Sequence, residues 1–280
     1  MGMYRINRKI LAPLFRLIIL LAFTVLTLYP VIWMVSGSLK DQAEFYNNIW
    51  GIPSVFHFEN YVRAWEWGAL GEKYLNSIIV TFGFLALIIP ANCCSGYVLA
   101  RMEFKGRKFF YIFLLAGMMV PGGVLGMPTF TVALNLGLVN TLYGIILIYA
   151  GHGCAFGMFM MYQFYLTIPK SLEEAAMIDG SSRFGAFLRV ILPLAVPGIM
   201  TQVIFSGLAT WNEYFLGSLI LRREEVKALP IGLLSFMSDT EIYYPQLFAA
   251  LSITTLPIVI IYLFAQRTFI EGVTAGAVKG

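Results

Sequence analysis

Charge is what this sequence has least of. Asp, Glu, Lys and Arg make up 12% of its 280 residues, against 59% hydrophobic residues and a mean hydropathy of +0.78. Soluble domains carry roughly twice that charged fraction, and a chain of this size needs far more polar residues to cover a globular surface. A soluble fold is excluded. A polytopic membrane protein is expected, because spans of about 20 apolar residues leave room for roughly five to seven of them and for no sizeable soluble domain. The net charge of +4 is too small to point to nucleic acid.

Cysteine and histidine are also scarce. The three cysteines, Cys93, Cys94 and Cys154, lie in apolar runs and form no disulfide framework or metal spacing, so they read as small buried hydrophobes. His57 falls in a loop and His152 stands alone in an apolar run, each read as a structural histidine because no Ser or Cys partner completes a catalytic set. A membrane-embedded enzyme is therefore not supported. No Gly-x-x-x-x-Gly-Lys-(Ser/Thr) phosphate loop is present either, so any ATP is hydrolysed by a partner.

Long apolar runs are what the chain does have. Arg5, Arg8, Lys9 and Arg16 precede 23 uncharged residues, 17–39, with no small-residue cleavage site inside; this is a retained first span rather than a signal peptide. The second run, 74–100, stops at Arg101, Lys105, Arg107 and Lys108. The next 61 residues carry no charge, enough for spans at 109–133 and 141–163, with turn chemistry from Asn135, Gly137 and Asn140. A fifth span follows Pro197, a residue suited to a first helical turn, and runs to 220; a sixth covers 247–265. Pro30, Pro90, Pro121, Pro128 and Pro257 fall within or at the ends of spans, where broken helices are tolerated if neighbours or a cavity satisfy the backbone.

The distribution of Lys and Arg sets the direction. Residues 1–16, 101–108, 164–196 and 266–280 hold 13 of the 19, whereas 40–73, 134–140 and 222–246 hold 6 basic and 9 acidic residues. The expected organisation is an all-α, six-span domain at 17–265 between a cytoplasmic N-terminus, 1–16, and a cytoplasmic tail, 266–280, with outer loops at 40–73 and 222–246.

The loop at 168–197 carries the most information. Ser171 and Glu174 have capping-box spacing, which predicts a helix from Leu172. Asp179-Gly180 is a turn signal, and Gly180 suits a left-handed stop. Ser181 or Ser182 then caps a second helix on which Phe184, Phe187, Leu188 and Ile191 make an apolar stripe. Pro193 and Pro197 end that helix and begin the fifth span. Such an element either projects into the cytoplasm to fit a cleft in a partner, or rests on the bilayer as an interfacial helix.

Glu213 is the charged residue deepest inside a span, about 7–8 Å outward of a midpoint near Leu208. An acid there is costly and hence a functional candidate. Three roles stay open: a structural one near the outer mouth, a substrate or gate contact, and a proton relay in an ion-coupled secondary transporter. That last class calls for several intramembrane polar groups and an internal repeat, and no repeat is evident.

These residues resemble a known family. Glu174-Ala175-Ala176 before Asp179-Gly180, followed by Ile191-Leu192-Pro193, is similar to the EAA loop of ABC importer permeases, in particular the carbohydrate branch that includes the maltose permease. Weaker matches run the length of the chain: Asn60-Tyr61, Asn76-Ser77, the segment Gly96-Tyr97-Val98-Leu99-Ala100-Arg101, Pro121, Gly137-Leu138, Trp211-Asn212-Glu213 and the ending 272–280.

The resemblance implies a type I ABC importer permease fold in a bacterial or archaeal cytoplasmic membrane. It implies a heterodimer with a second, homologous permease, two ATPase subunits that hold ATP and Mg, and an extracytoplasmic solute-binding protein delivering a carbohydrate. Glu174, Ala175, Ala176, Asp179 and Gly180 are then the ATPase-coupling set, and Lys279 and Gly280 belong to a tail at the ATPase interface. The 222–246 loop would contact the binding protein, chiefly through 232–238. Trp211, Asn212 and Glu213 either line a sugar path or mark the outer aromatic belt.

Overall fold

The computed structural model describes residues 2–237 and 242–277, and among these the chain is helical, with a single isolated bridge between Met237 and Ile242. The helices are α1 Gly2–Ser38, α2 Gln42–Asn47, α3 Glu59–Trp67, α4 Leu70–Arg101, α5 Arg107–Met118, α6 Gly126–Asn135, α7 Leu142–Thr167 and α8 Lys170–Ile178. There follow α9 Arg183–Ala186, α10 Leu192–Leu194, α11 Val196–Trp211, α12 Phe215–Ile220, α13 Leu229–Gly232 and α14 Tyr244–Ala277. Two compact units divide the chain: Met1–Leu70 with Leu233–Thr255, and Gly71–Gly232 with Leu256–Gly280.

Among the described residues three helices are each long and apolar enough to cross a membrane: α1 over Ala12–Ser38, α4 and α7. Of the other expected spans, the third and fifth are broken. The third, placed at 109–133, is split into α5 and α6, of about 18 and 15 Å at 1.5 Å per residue. Pro121 disfavours helix at the residue before it, and Gly122-Gly123 lower helix propensity further. The fifth, placed at 197–220, stops at Trp211 and resumes at Phe215. The sixth starts at Tyr244, three residues before its expected start, with its apolar part at Tyr244–Ile260. Pro30, Pro90 and Pro257 sit inside continuous helices, while Pro128 occupies the first turn of α6, where its missing N–H costs nothing.

The expected turn at 135–140 forms. Gly137 takes φ +68°, Leu138 N–H donates to Ala133 O at 2.8 Å, and Gly137 N–H donates to Leu134 O at 3.1 Å. This pair of bonds satisfies the last carbonyls of α6 in a Schellman motif. Thr141 Oγ1 then accepts from Gly144 N–H at 3.1 Å and caps α7. Asn140 Oδ1 accepts from the N–H groups of Arg222 and Arg223 at 2.7 and 3.0 Å.

In the second unit one apolar core joins Phe84 and Ile88 of α4 to Ile145 and Tyr149 of α7 and Leu216 and Ile220 of α12. A second core joins Cys93, Tyr97 and Ala100 to Met161 and Tyr165 of α7 and to Phe187 and Ile191. Between these helices Gly96 lets the backbones touch, since a Cβ there would stand 2.8 Å from Met161 Cβ and 2.9 Å from Tyr162 N. Cys93 is a buried hydrophobe as expected; Cys94, one residue on and on another helix face, is exposed.

Two weak sequence matches acquire reasons. In the first unit buried Asn60 donates from Nδ2 to Ser38 O at 2.9 Å and Lys40 O at 2.8 Å, satisfying carbonyls at the end of α1. In the second, Asn76 Nδ2 donates to Glu225 O and Lys227 O at 2.9 and 3.0 Å, while Ser77 Oγ accepts from Leu229 N–H at 2.8 Å. Both pairs are side chains pinning irregular backbone.

Candidate functional site

The 168–197 segment folds as helix, glycine turn and helix, with two departures from expectation. First, α8 starts at Lys170 and Ser171 makes no capping bond, because Pro169 takes the cap position at φ −59°, ψ 132° and shifts Ser171 into the first turn. Second, the stripe of Phe184, Phe187, Leu188 and Ile191 does not bury as one face: Phe187 and Ile191 are 3% and 0% exposed, Phe184 and Leu188 66% and 44%.

Proline accounts for the second departure. An α-helical turn at Pro193 would drive its ring into the carbonyl of Arg189. Residues Phe187–Ile191 widen instead into a π turn, with Leu192 N–H donating to Phe187 O. The widened turn aligns Phe187, Ile191 and Ala195 on the buried side and leaves Phe184 and Leu188 on the open one. At Ala195 the chain then bends by 70° into α11.

The stop of α8 is as expected. Gly180 has φ +89°, Gly180 N–H donates to Met177 O at 3.1 Å, and Ser181 N–H donates to Ala176 O at 3.0 Å. This is a second Schellman motif, which gives the Ala176 carbonyl a structural task. Of the two serines, Ser182 caps α9, accepting from Gly185 N–H at 3.1 Å.

On α8 the structure separates two neighbouring acids. Glu174 is exposed, together with Ala175, Asp179, Gly180 and the apolar Leu172 and Ile178, the last 86% exposed. Glu173 is buried: Tyr97 OH donates to its Oε1 at 2.5 Å, and Arg101 Nε lies 3.9 Å from its Oε2. Arg101 also donates from Nη2 to Tyr165 O at 2.7 Å and to Ile168 O, closing the end of α7. One guanidinium thus joins the ends of α4 and α7 to α8. Sequence reasoning missed Glu173, although a Tyr and an Arg one helical turn apart at the end of an apolar run were a usable signal.

The other candidate residues separate in space. Glu213 Oε1 accepts from Leu216 N–H at 2.8 Å, and its Oε2 accepts from Gly217 N–H at 2.9 Å and from Tyr149 OH. Glu213, one residue before the N-cap Tyr214, therefore caps the first turn of α12 with its carboxylate. Trp211 packs edge-on against Tyr74, ring centroids 5.6 Å apart, and Asn212 Nδ2 donates back to Leu208 O at 2.9 Å.

Glu213 lines a cavity of about 430 Å³ with Phe84, Tyr149, His152, Phe156, Phe205, Ser206 and Thr210; Trp211 and Asn212 do not. His152 reaches Thr129 Oγ1 of α6 at 3.3 Å, so it is not isolated. Ser206, Thr210 and Glu213 recur at i, i+4 and i+7, and Tyr149, His152 and Phe156 at i, i+3 and i+7. These two helical stripes were readable in the sequence. Lys279, Gly280 and Ser238 lie outside the described residues.

The family model described as "Binding-protein-dependent transport system inner membrane component" matches residues 93–274. Among curated relatives, a diacetylchitobiose uptake system permease protein of Streptomyces coelicolor is 34% identical over 93% of this chain and 87% of its own length. An arabinooligosaccharides transport system permease protein of Bacillus subtilis is 33% identical over 92% of each. Among solved structures, a chain of a bacterial ABC transporter involved in the import of the acidic polysaccharide alginate superposes with a TM-score of 0.80 at 25% identity, covering 95% of this chain and 98% of that one.

Proposed function

The chain belongs to the binding-protein-dependent transport system inner membrane components, the multi-pass subunits of ABC transporters, and on that premise we propose that it forms half of the translocation path of an ATP-driven carbohydrate importer. Its cargo class is a sugar, oligosaccharide or related polyol, in keeping with the diacetylchitobiose and arabinooligosaccharide permeases it is similar to. It crosses the membrane six times, with α5–α6 and α11–α12 as broken third and fifth spans and both termini in the cytoplasm. The second half of the path is a homologous permease, and an extracytoplasmic binding protein docks on the outer loops.

One observation carries the coupling role. On α8 Glu173 is tied inward to Tyr97 and Arg101, while Glu174, Ala175, Ile178 and Asp179 face outward beside the left-handed turn at Gly180. A cleft in an ATPase subunit that grips the outward face moves α8, and the buried bonds pass that motion to α4 and α7. ATP and Mg stay with the ATPase. The cavity beside Glu213 supplies the path for the cargo, its aromatic walls suiting sugar faces and Ser206 and Thr210 suiting hydroxyl groups.

The ion-coupled alternative needs Glu213 in a chain of ionisable groups. Its hydrogen-bond donors are two main-chain N–H groups and a phenol, the partners of a cap. Uptake of labelled oligosaccharide into proteoliposomes that hold the assembled complex separates the readings. ATP-dependent uptake is expected; uptake that persists without ATP and follows a proton gradient overturns the proposal.

A further inference from the structure

From Phe45 to Phe56, between Glu44 and His57, the chain carries no charge; Phe45 is buried, but from Tyr46 onward the large apolar side chains are exposed. Trp50 is 70% exposed, Ile52 79%, Val55 61% and Phe56 56%. The direction of this stretch makes it unusual. Instead of leaving the end of α1, it turns back along it: Trp50 lies against Trp33, ring centroids 5.4 Å apart, and stacks on Tyr29 at 6.4 Å. Tyr29 precedes the last residue of α1 by nine positions, so Trp50 reaches about 13 Å back down the helix.

Several of the hairpin's carbonyls are satisfied from within. Trp33 Nε1 donates to Ile49 O at 2.9 Å and Ser36 Oγ to Gly51 O at 3.3 Å. Lys40, fully buried, points its ammonium at Asn48 O and Ile49 O. Asn48 donates to Ile52 O at 3.3 Å and accepts from Gly51 N–H at 3.0 Å, and Pro53 has no N–H to satisfy. At the base, Glu44 accepts from Ser54 N–H and Oγ at 2.7 and 2.8 Å.

A loop in water needs none of these side-chain acceptors and donors, because solvent fills the role. At the membrane interface, where water is scarce, carbonyls turned toward lipid gain from such internal donors, while the N–H groups of Ile49, Trp50 and Ile52 stay within reach of water. The apolar tip is continuous with α1, a membrane-length helix with none of its apolar window buried. We propose that residues 49–53 are an interfacial hairpin that seats at the boundary of headgroups and acyl chains in the leaflet surrounding the Ser38 end of α1, with Trp50 and Ile52 as its lipid contacts and Lys40 as its internal clamp. Trp at this depth fits the aromatic belt of the membrane interface. The hairpin rests on α1 being a span and not on the coupling role of α8, so either can fail alone.

The test uses the complete transporter in proteoliposomes, with Cys93, Cys94 and Cys154 replaced by serine and an NBD fluorophore on Ile52→Cys or, as a control on α3, Glu66→Cys. Lipids carrying a shallow acyl-chain nitroxide are expected to quench the label at 52, and iodide in the buffer is expected to quench only the label at 66. Iodide quenching at 52 would mean a hydrated loop, and quenching by neither reagent a site covered by another protein chain; either overturns the proposal. A second measurement keeps the native cysteines. Brominated phospholipid should quench intrinsic tryptophan emission less in Trp50→Phe than in the parent protein, and equal quenching of the two would refute lipid contact at Trp50.

Discussion

Glu173 and Glu174 are consecutive residues on one helix and meet opposite environments: the first is buried against Tyr97 and Arg101, the second is exposed. A rotation of about 100° per residue separates them around the helix axis. The same sequence pair therefore provides an anchor and a free acid.

Their substitutions should differ in kind. Glu173→Ala removes the charged acceptor of Tyr97 OH and the carboxylate beside buried Arg101, a loss of about 1–3 kcal/mol read as a lower melting temperature of the purified protein. Glu174→Ala should leave the melting temperature unchanged and lower ATP-driven uptake. Equal melting temperatures for the two variants would contradict the burial of Glu173.

Gly180 should tolerate side chains in order of their fitness for the left-handed region. No atom lies within 4 Å of a Cβ built there, so the cost is conformational, about 1–2 kcal/mol for an ordinary residue. Gly180→Asn should keep more transport than Gly180→Ala, and Gly180→Val least of all. Gly180→Asp should abolish uptake or uncouple it from ATP hydrolysis, since it adds an acid to the proposed docking face. ATP-driven uptake in the Asp variant equal to that of the parent would count against the docking role.

Glu213→Gln keeps an acceptor oxygen for the α12 cap and should retain most ATP-driven uptake. Glu213→Ala removes the cap and should lower stability by about 1 kcal/mol. Abolished uptake in a Gln variant that melts normally would revive the proton-relay role.

Glu224 supplies a pH dependence. The Lys227 ammonium bonded to it holds its carboxyl below the usual carboxylate range, and Lys73, at 3.6 Å, adds to the effect. A carboxyl depressed on folding contributes stability above its unfolded pKa and loses it as pH falls through the folded value. The parent protein should melt above Glu224→Gln at pH 7, and the two should converge as pH falls below the unfolded carboxyl value of about 4.3 and through the lower folded one. A difference that persists unchanged in acid would contradict the pairing.

Hydropathy made the membrane class legible because an apolar run of span length has few other uses, and the turns at Gly137 and Gly180 were legible because left-handed backbone selects glycine. Broken spans were harder to see. Pro121-Gly122-Gly123 and Asn212-Glu213-Tyr214 are as uncharged or nearly as uncharged as their surroundings, so hydropathy runs through them, whereas backbone hydrogen bonding does not. The capping box at Ser171 was a false signal, since Pro169 two residues earlier competes for the same cap.

By itself the sequence determined the class, the glycine stops and the loop with its Glu-Ala-Ala motif, all of which depend on local composition and on the backbone preferences of single residues. Tertiary structure alone decided which of two adjacent glutamates turns inward, that Glu213 caps a helix, that Ser206 and Thr210 share a cavity with Tyr149 and His152, and that Trp50 folds back onto Tyr29. Apart from the cap, whose N–H donors are three and four residues from Glu213, each of these depends on partners distant in sequence, brought together by packing and by the need to satisfy polar groups where water is absent.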